Sequence, residues 1–145
     1  MDDSNGDTSD MTYSVDPRPD RVFDPPGADG IRTGMSFELL DDVQKELDLT
    51  QEDLEQALGV SSRTLQRRRK QGKPLSSATS DRLWRILHAY NLAYRALDSR
   101  KAARSWMQTP HAVLNDETPL GRLDTEPGLR EVEDMLSVID ETSAA

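Results

Sequence analysis

The sequence predicts an all-α protein. From Ser36 onward, apolar residues recur at spacings of three and four, and hydroxyl side chains stand where helices must start. No alternation of apolar and polar residues is long enough for a strand.

The first 34 residues are expected to form a disordered acidic tail. They are rich in Asp, Ser, Pro and Gly, and Pro17, Pro19, Pro25 and Pro26 break any helix. Val22 and Phe23 are isolated apolar residues there, and Arg21–Phe23 is the one stretch that could dock as a short strand.

A first helix over 36–47 places Phe37, Leu40, Val43 and Leu47 on one face behind an N-cap at Ser36. Thr50 caps a second helix, with Asp53 three residues on in the reciprocal capping position. Leu54, Ala57 and Leu58 form its buried face, and Gly59 supplies the left-handed stop. Ser61 caps a third helix that runs to about Gln71, where Gly72 and Pro74 end it. Ser76 or Ser77 opens the longest helix, to Leu97. Its stripe of Leu83, Ile86, Leu87, Tyr90, Ala93, Tyr94 and Leu97 suits either a core or a dimer seam. A helix over Arg100–Met107 stops at Thr109-Pro110. Thr118-Pro119 reads as an N-cap with Pro at the first helical position. A last helix, Pro127–Asp140, presents Leu129, Val132, Leu136 and Ile139 on one face.

Charge is segregated along the chain. The net charge of −9 conceals a block, residues 60–105, with twelve Lys or Arg against two Asp, lying between acidic flanks. The 145 residues suit one domain or two small ones sharing a core, and the absence of cysteine excludes disulfides and thiolate zinc sites. No apolar run approaches a membrane span and no signal-peptide pattern is present, so the expected location is the cytoplasm, or the bacterial nucleoid when DNA is bound. His88 and His111 have no ligand-like spacing, no Gly-rich phosphate loop exists, and no strand–turn–helix context supports a nucleophile. Neither a catalytic residue, a metal site nor a cofactor is expected, and the protein is not expected to be an enzyme.

Within the basic block, Thr50–Lys73 has the layout of a helix-turn-helix, in which the second helix enters the major groove. Arg63, Gln66, Arg67 and Lys70 share one face of that helix, while Val60, Thr64 and Leu65 face the bracing helix. Arg pairs with guanine edges and Gln with adenine edges, so this face carries chemistry for base readout. Arg68, Arg69 and Lys73 are better placed for phosphates.

After the long helix, residues 102–139 carry an ordered series of elements. They are the Ala103–Trp106 helix end, Thr109-Pro110, Leu114, Thr118-Pro119-Leu120, Leu123, Thr125-Glu126-Pro127-Gly128, Val132 and Leu136. Upstream stands Arg63-Thr64-Leu65-Gln66-Arg67-Arg68. Together these resemble the Xre/MbcA/ParS family of bacterial antitoxins over about residues 35–140. In place of the family's Leu-Gly-Gly-like turn the chain has Leu114-Asn115-Asp116-Glu117, and Asn tolerates the left-handed conformation.

The resemblance implies an Xre-like helix-turn-helix and dimerisation region (35–98) followed by a small helical toxin-binding domain (99–145). It implies an antitoxin that dimerises, binds its operator, and blocks a cognate RES-domain toxin that consumes or transfers from NAD. The exposed candidates for toxin contact are Asp134, Ser137, Asp140, Glu141, Ser143, Ala144 and Ala145. Trp106, Pro110, Leu114, Pro119, Leu120, Gly128, Val132 and Leu136 are assigned to core packing and shape. The nine acids after Met107 would complement a basic NAD-phosphate site. The competing expectation is a stand-alone transcription regulator whose C-terminal helices only dimerise or bind an effector.

Overall fold

A computed structural model describes residues 21–144, without the side chains of Ser143 and Ala144. Seven α-helices appear among the described residues. They are α1 (Ala28–Thr33), α2 (Phe37–Leu47), α3 (Gln51–Leu58), α4 (Ser62–Lys70), α5 (Ser77–Leu97), α6 (Arg100–Met107) and α7 (Glu126–Ala144). Two 3-10 turns, Ala112–Leu114 and Leu120–Asp124, lie between α6 and α7. The β-pairing described beyond Asp24 is a single isolated bridge, His111 to Glu117.

The helix starts are set by local chemistry. Ser36, Thr50, Ser61, Ser76 and Ser99 each accept the amide of the residue three positions on, and Thr50 and Asp53 form a complete capping box. Gly59 ends α3 at φ 68°, as its position predicts. Asp48 and Asp98 end α2 and α5 in the same left-handed region at φ 56° and 54°, a conformation a short polar side chain tolerates. Asn115 and Asp116 are left-handed too, at 58° and 64°, so the turn expected at Asn115 is present.

Helix α5 is the axis of the molecule. It packs against α1, α3, α6, α7 and the second 3-10 turn. Leu83, Ile86, Leu87, Tyr90 and Ala93 are all within the core, so the stripe that suited either a core or a dimer seam is used inside the chain.

Two expectations change. The segment assigned to the tail is folded from Arg21 onward. Val22 and Phe23 are 2% and 0% exposed, and α1 packs on α5. The reason is a buried side chain 68 positions away. The Asn91 oxygen accepts the amides of both Val22 and Phe23 at 2.9 Å, and its nitrogen donates to the Phe23 carbonyl at 2.9 Å. A backbone that would otherwise strand polar groups in an apolar setting is thereby satisfied, and burying Phe23 contributes about 1.5–3 kcal/mol. Further along, Ser80 Oγ accepts the Met35 amide at 2.8 Å and the Met35 carbonyl accepts the Leu75 amide at 3.0 Å. The segment therefore runs antiparallel to α5. Second, the last helix begins one residue earlier and ends four later than predicted, with Thr125 Oγ1 accepting the Gly128 amide at 3.1 Å. Thr118 does cap, accepting the Gly121 amide at 3.0 Å, but the turn it opens is 3-10.

Candidate nucleic-acid and partner interfaces

The two helices of the helix-turn-helix are held by a carboxylate at the turn. Glu55 of α3 accepts the Ser62 amide at 2.6 Å, one of the unsatisfied donors at the start of α4. Hydrogen bonding from Ser62 holds the Glu55 carboxyl below its ordinary range. Leu65 is buried and Val60 half-buried against the core, which turns the other side of α4 outward.

On that outer side the structure brings Arg63, Gln66, Arg67 and Lys70 together. All four are exposed and, with Gln71, line an open depression of about 590 Å³. Lys73 is exposed beyond Gly72, whose φ of 71° turns the chain out of α4. The two middle arginines are engaged differently. Arg69 donates to both oxygens of Asp41 on α2, at 3.2 and 2.7 Å, and its guanidinium lies 4.6 Å above the centre of the Phe37 ring. Its proton affinity rises through the hydrogen bond with Asp41. Arg68 Nε donates to the Pro74 carbonyl. These two side chains dock α4 on its neighbours, and the four-residue face is left for a ligand.

A second surface lies between α5 and α7. Its groove, about 340 Å³, is lined by His88, Leu92 and Arg95 from α5 and by Asp134, Ser137 and Asp140 from α7. Three residues singled out from the sequence thus share one groove, whose floor also includes buried Leu136. Glu141 is exposed, one helical turn after Ser137. The Ser143 and Ala144 side chains and the whole of Ala145 lie outside the described residues. One wall is fixed by His88, which stacks on Trp84 at 4.7 Å between ring centres and sits 2.9 Å from Glu133 Oε2.

The loop between α6 and α7 is shaped largely as its residue types suggest. Leu114, Val132 and Leu136 are 2%, 0% and 2% exposed, and Pro119 is buried. Trp106 is half-buried, 5.1 Å from the His111 ring, while Pro110 is exposed. Leu120 is half-buried beside α3, in a depression shared with Asp53, Gln56 and Arg82. Gly128 permits a close approach, because a Cβ there would lie 1.8 Å from the Arg122 carbonyl oxygen. Arg122 in turn bonds Glu131 through Nε at 3.0 Å and Glu117 through Nη1 at 3.3 Å, joining the loop to α7.

The sequence pattern conceals several contributors. His88 and Arg95 reach the groove from a helix whose apolar stripe dominates its pattern. Val138 is 62% exposed, off the Leu129–Val132–Leu136–Ile139 stripe and between Asp134 and Glu141, and that phase error is visible in the heptad pattern. Val113, 78% exposed, sits on the first 3-10 turn. A partly buried knot has no sequence signal at all. Glu46 of α2 accepts from the Tyr90 hydroxyl at 2.7 Å and from Arg100 Nε at 2.8 Å. Burial pushes the Glu46 carboxyl up, but the hydrogen bonds from Arg100 and Tyr90 outweigh it and hold it below its usual range. Burial, aided by Glu46, raises the Tyr90 hydroxyl.

Among the described residues there is no cluster of His, Cys, Asp or Glu that could hold a metal ion, and no helix is long and apolar enough to cross a membrane.

Comparison with known proteins finds two matched regions along the chain. Residues 26–88 match the antitoxin Xre-like helix-turn-helix domain, and residues 92–141 match the antitoxin Xre/MbcA/ParS C-terminal toxin-binding domain. The chain is 28% identical over 113 residues to an antitoxin Xre of Yersinia enterocolitica, covering 77% of this chain and 76% of that one. It is 34% identical over 82 residues to an antitoxin Xre of Pseudomonas putida, covering 57% of this chain and about half, 52%, of that one. Such antitoxins are non-enzymatic regulators and inhibitors. With both matched regions in order on one chain, and with relatives of the same kind, this protein belongs to the Xre-type antitoxins.

Proposed function

We propose that this antitoxin has two separable activities. Its C-terminal part, residues 99–145 together with the facing side of α5, binds a RES-domain toxin that acts on NAD and covers the entrance to its active site. Its N-terminal part, residues 35–98, binds operator DNA and represses its own operon as a homodimer.

The observation that carries this reading is the separation of two exposed, oppositely charged surfaces on the two matched regions. Arg63, Gln66, Arg67 and Lys70 lie on α4, and Asp134, Asp140 and Glu141 lie on α7. A cationic face supports counterion release from phosphates, and its Arg and Gln side chains carry the donors for base edges. Lys73 adds a phosphate contact. An acidic helix suits a partner whose site is built for the phosphates of NAD. Since the α5 stripe is occupied by the core, the homodimer uses another surface.

Co-expression with a RES-domain protein, expected in the adjacent gene, tests the first activity. Growth should be restored. A chain that leaves its neighbour toxic is no antitoxin to a RES-type partner. Promoter binding by the isolated antitoxin, abolished by Arg63→Ala with Arg67→Ala while rescue persists, tests the second.

A further inference from the structure

We infer that the acidic segment 2–20 seats on the cationic face of α4 and screens it from polyanions, so that the chain carries its own competitor for nucleic acid. Arg63, Arg67, Lys70 and Lys73 are exposed, and none has an acidic partner among the described residues. Four like charges gathered on one short surface repel one another, and an anion relieves that repulsion. Asp2, Asp3, Asp7, Asp10, Asp16 and Asp20 stand against the single Arg18 in the first twenty residues, a net side-chain charge of −5.

The tether makes this contact reachable. Residues 22 and 23 are clamped to Asn91, so the chain that precedes them is tethered to a fixed point on α5. Asn91 is fourteen residues from Ser77 at the start of that helix, or about 21 Å. Lys73 stands only four positions before Ser77, so it lies within about 35 Å of the anchor. Roughly ten extended residues cover that distance, and the remaining half of the segment, with Asp2, Asp3, Asp7 and Asp10, is left to lie along α4. A tether of this length holds the acidic segment at an effective concentration in about the mM range. Even a weak electrostatic contact is then populated at low salt.

The contact itself can be read without nucleic acid. The chain has no cysteine, so a nitroxide on Ser9→Cys is a single reporter in the full-length protein. Amides of residues 63–70 should broaden at about 50 mM salt and recover at about 500 mM, as screening shortens to a few ångströms. Unbroadened α4 amides at low salt overturn the inference.

The second arm measures binding of a short DNA duplex, and it alone rests on the nucleic-acid reading above. Changing Asp2, Asp3, Asp7, Asp10, Asp16 and Asp20 together to Asn should tighten binding about fivefold at low salt, with the gain fading as salt rises. A control with Glu52, Asp116, Asp124, Asp134, Asp140 and Glu141 changed to their amides alters the net charge equally, and should gain less than half as much. An equal gain in the control overturns self-screening and leaves only bulk charge. Broadened α4 amides in a protein that binds no duplex uphold the seating and overturn the nucleic-acid reading instead.

Discussion

The side-chain amide of Asn91 grips the backbone of Phe23 from both sides, accepting its N–H and donating to its C=O, each at 2.9 Å. This is the pairing a neighbouring strand would make, supplied by one residue of a helix. It fixes Phe23 in the core, and the ring it positions meets Tyr90 at 6.0 Å between centres.

Asn91→Ala should therefore be among the most damaging polar substitutions in the chain. Two amides and a carbonyl lose their partners in a buried setting, at about 1–3 kcal/mol for each group left unsatisfied. Urea unfolding should show a loss of at least about 2 kcal/mol. Hydrogen exchange should show Val22 and Phe23 opening first. A change below about 0.5 kcal/mol would mean that water replaces the amide.

The arginines of α4 should separate by salt dependence. Arg63→Ala and Arg67→Ala should each lower the slope of log affinity against log salt by about 0.9 for every phosphate the side chain neutralises. Arg69→Ala should leave the slope nearly unchanged, because its guanidinium already pairs with Asp41 over Phe37. Its cost should appear as about 1 kcal/mol of stability, the range of an exposed ion pair with a cation–π contact. A slope lowered equally in all three variants would place Arg69 on the phosphates too.

Acid should loosen the α2–α5–α6 junction through Glu46. Its folded pKa is depressed, so its contribution is fully present above the ordinary value of 4.5 and is lost as pH falls through the lower folded value. Glu46→Gln should be less stable than the parent at pH 7, and the gap should close below pH 4.5. Tyr90 acts at the other extreme. Its raised pKa favours the fold below the ordinary value of 10.0, and that benefit is lost as pH rises beyond it. Urea midpoints of parent and variant across this range decide the matter, and a constant gap refutes the assignment to Glu46.

Gly128→Ala tests the junction of loop and α7. Alanine in a helix is ordinarily favoured over glycine by about 1 kcal/mol. Here the added carbon would meet the Arg122 carbonyl at 1.8 Å, and backbone cannot yield as a side chain can. The variant should lose about 1–3 kcal/mol, with toxin neutralisation reduced and duplex binding kept. A stabilised variant would show that the loop moves freely from the helix.

Reversing charge in the α5–α7 groove separates the two proposed activities. Asp134→Arg with Asp140→Arg should weaken the complex with the RES-domain partner at least about tenfold, since like charges across an interface cost several kcal/mol. Binding to duplex DNA should not weaken. Undiminished partner affinity would move the docking surface elsewhere on α7, toward Val138 and Glu141.

What the sequence determined by itself is local. The caps at Ser36, Thr50 and Ser61, the glycine stop at Gly59, the left-handed Asn115 and the polar face Arg63–Gln66–Arg67–Lys70 all follow from relationships within about one helical turn. Their partners are close in sequence, so position alone names them. The tertiary structure decided the rest. It turned Val22 and Phe23 from tail into core, paired Arg69 with Asp41 across 28 positions, and consumed the α5 stripe internally. It also set His88 and Arg95 opposite Asp134 and Asp140. Each outcome depends on which distant group arrives to satisfy a backbone amide, a charge or an apolar face. Many residues in a chain could offer such a group, and only the closed packing of the helices selects the one that does.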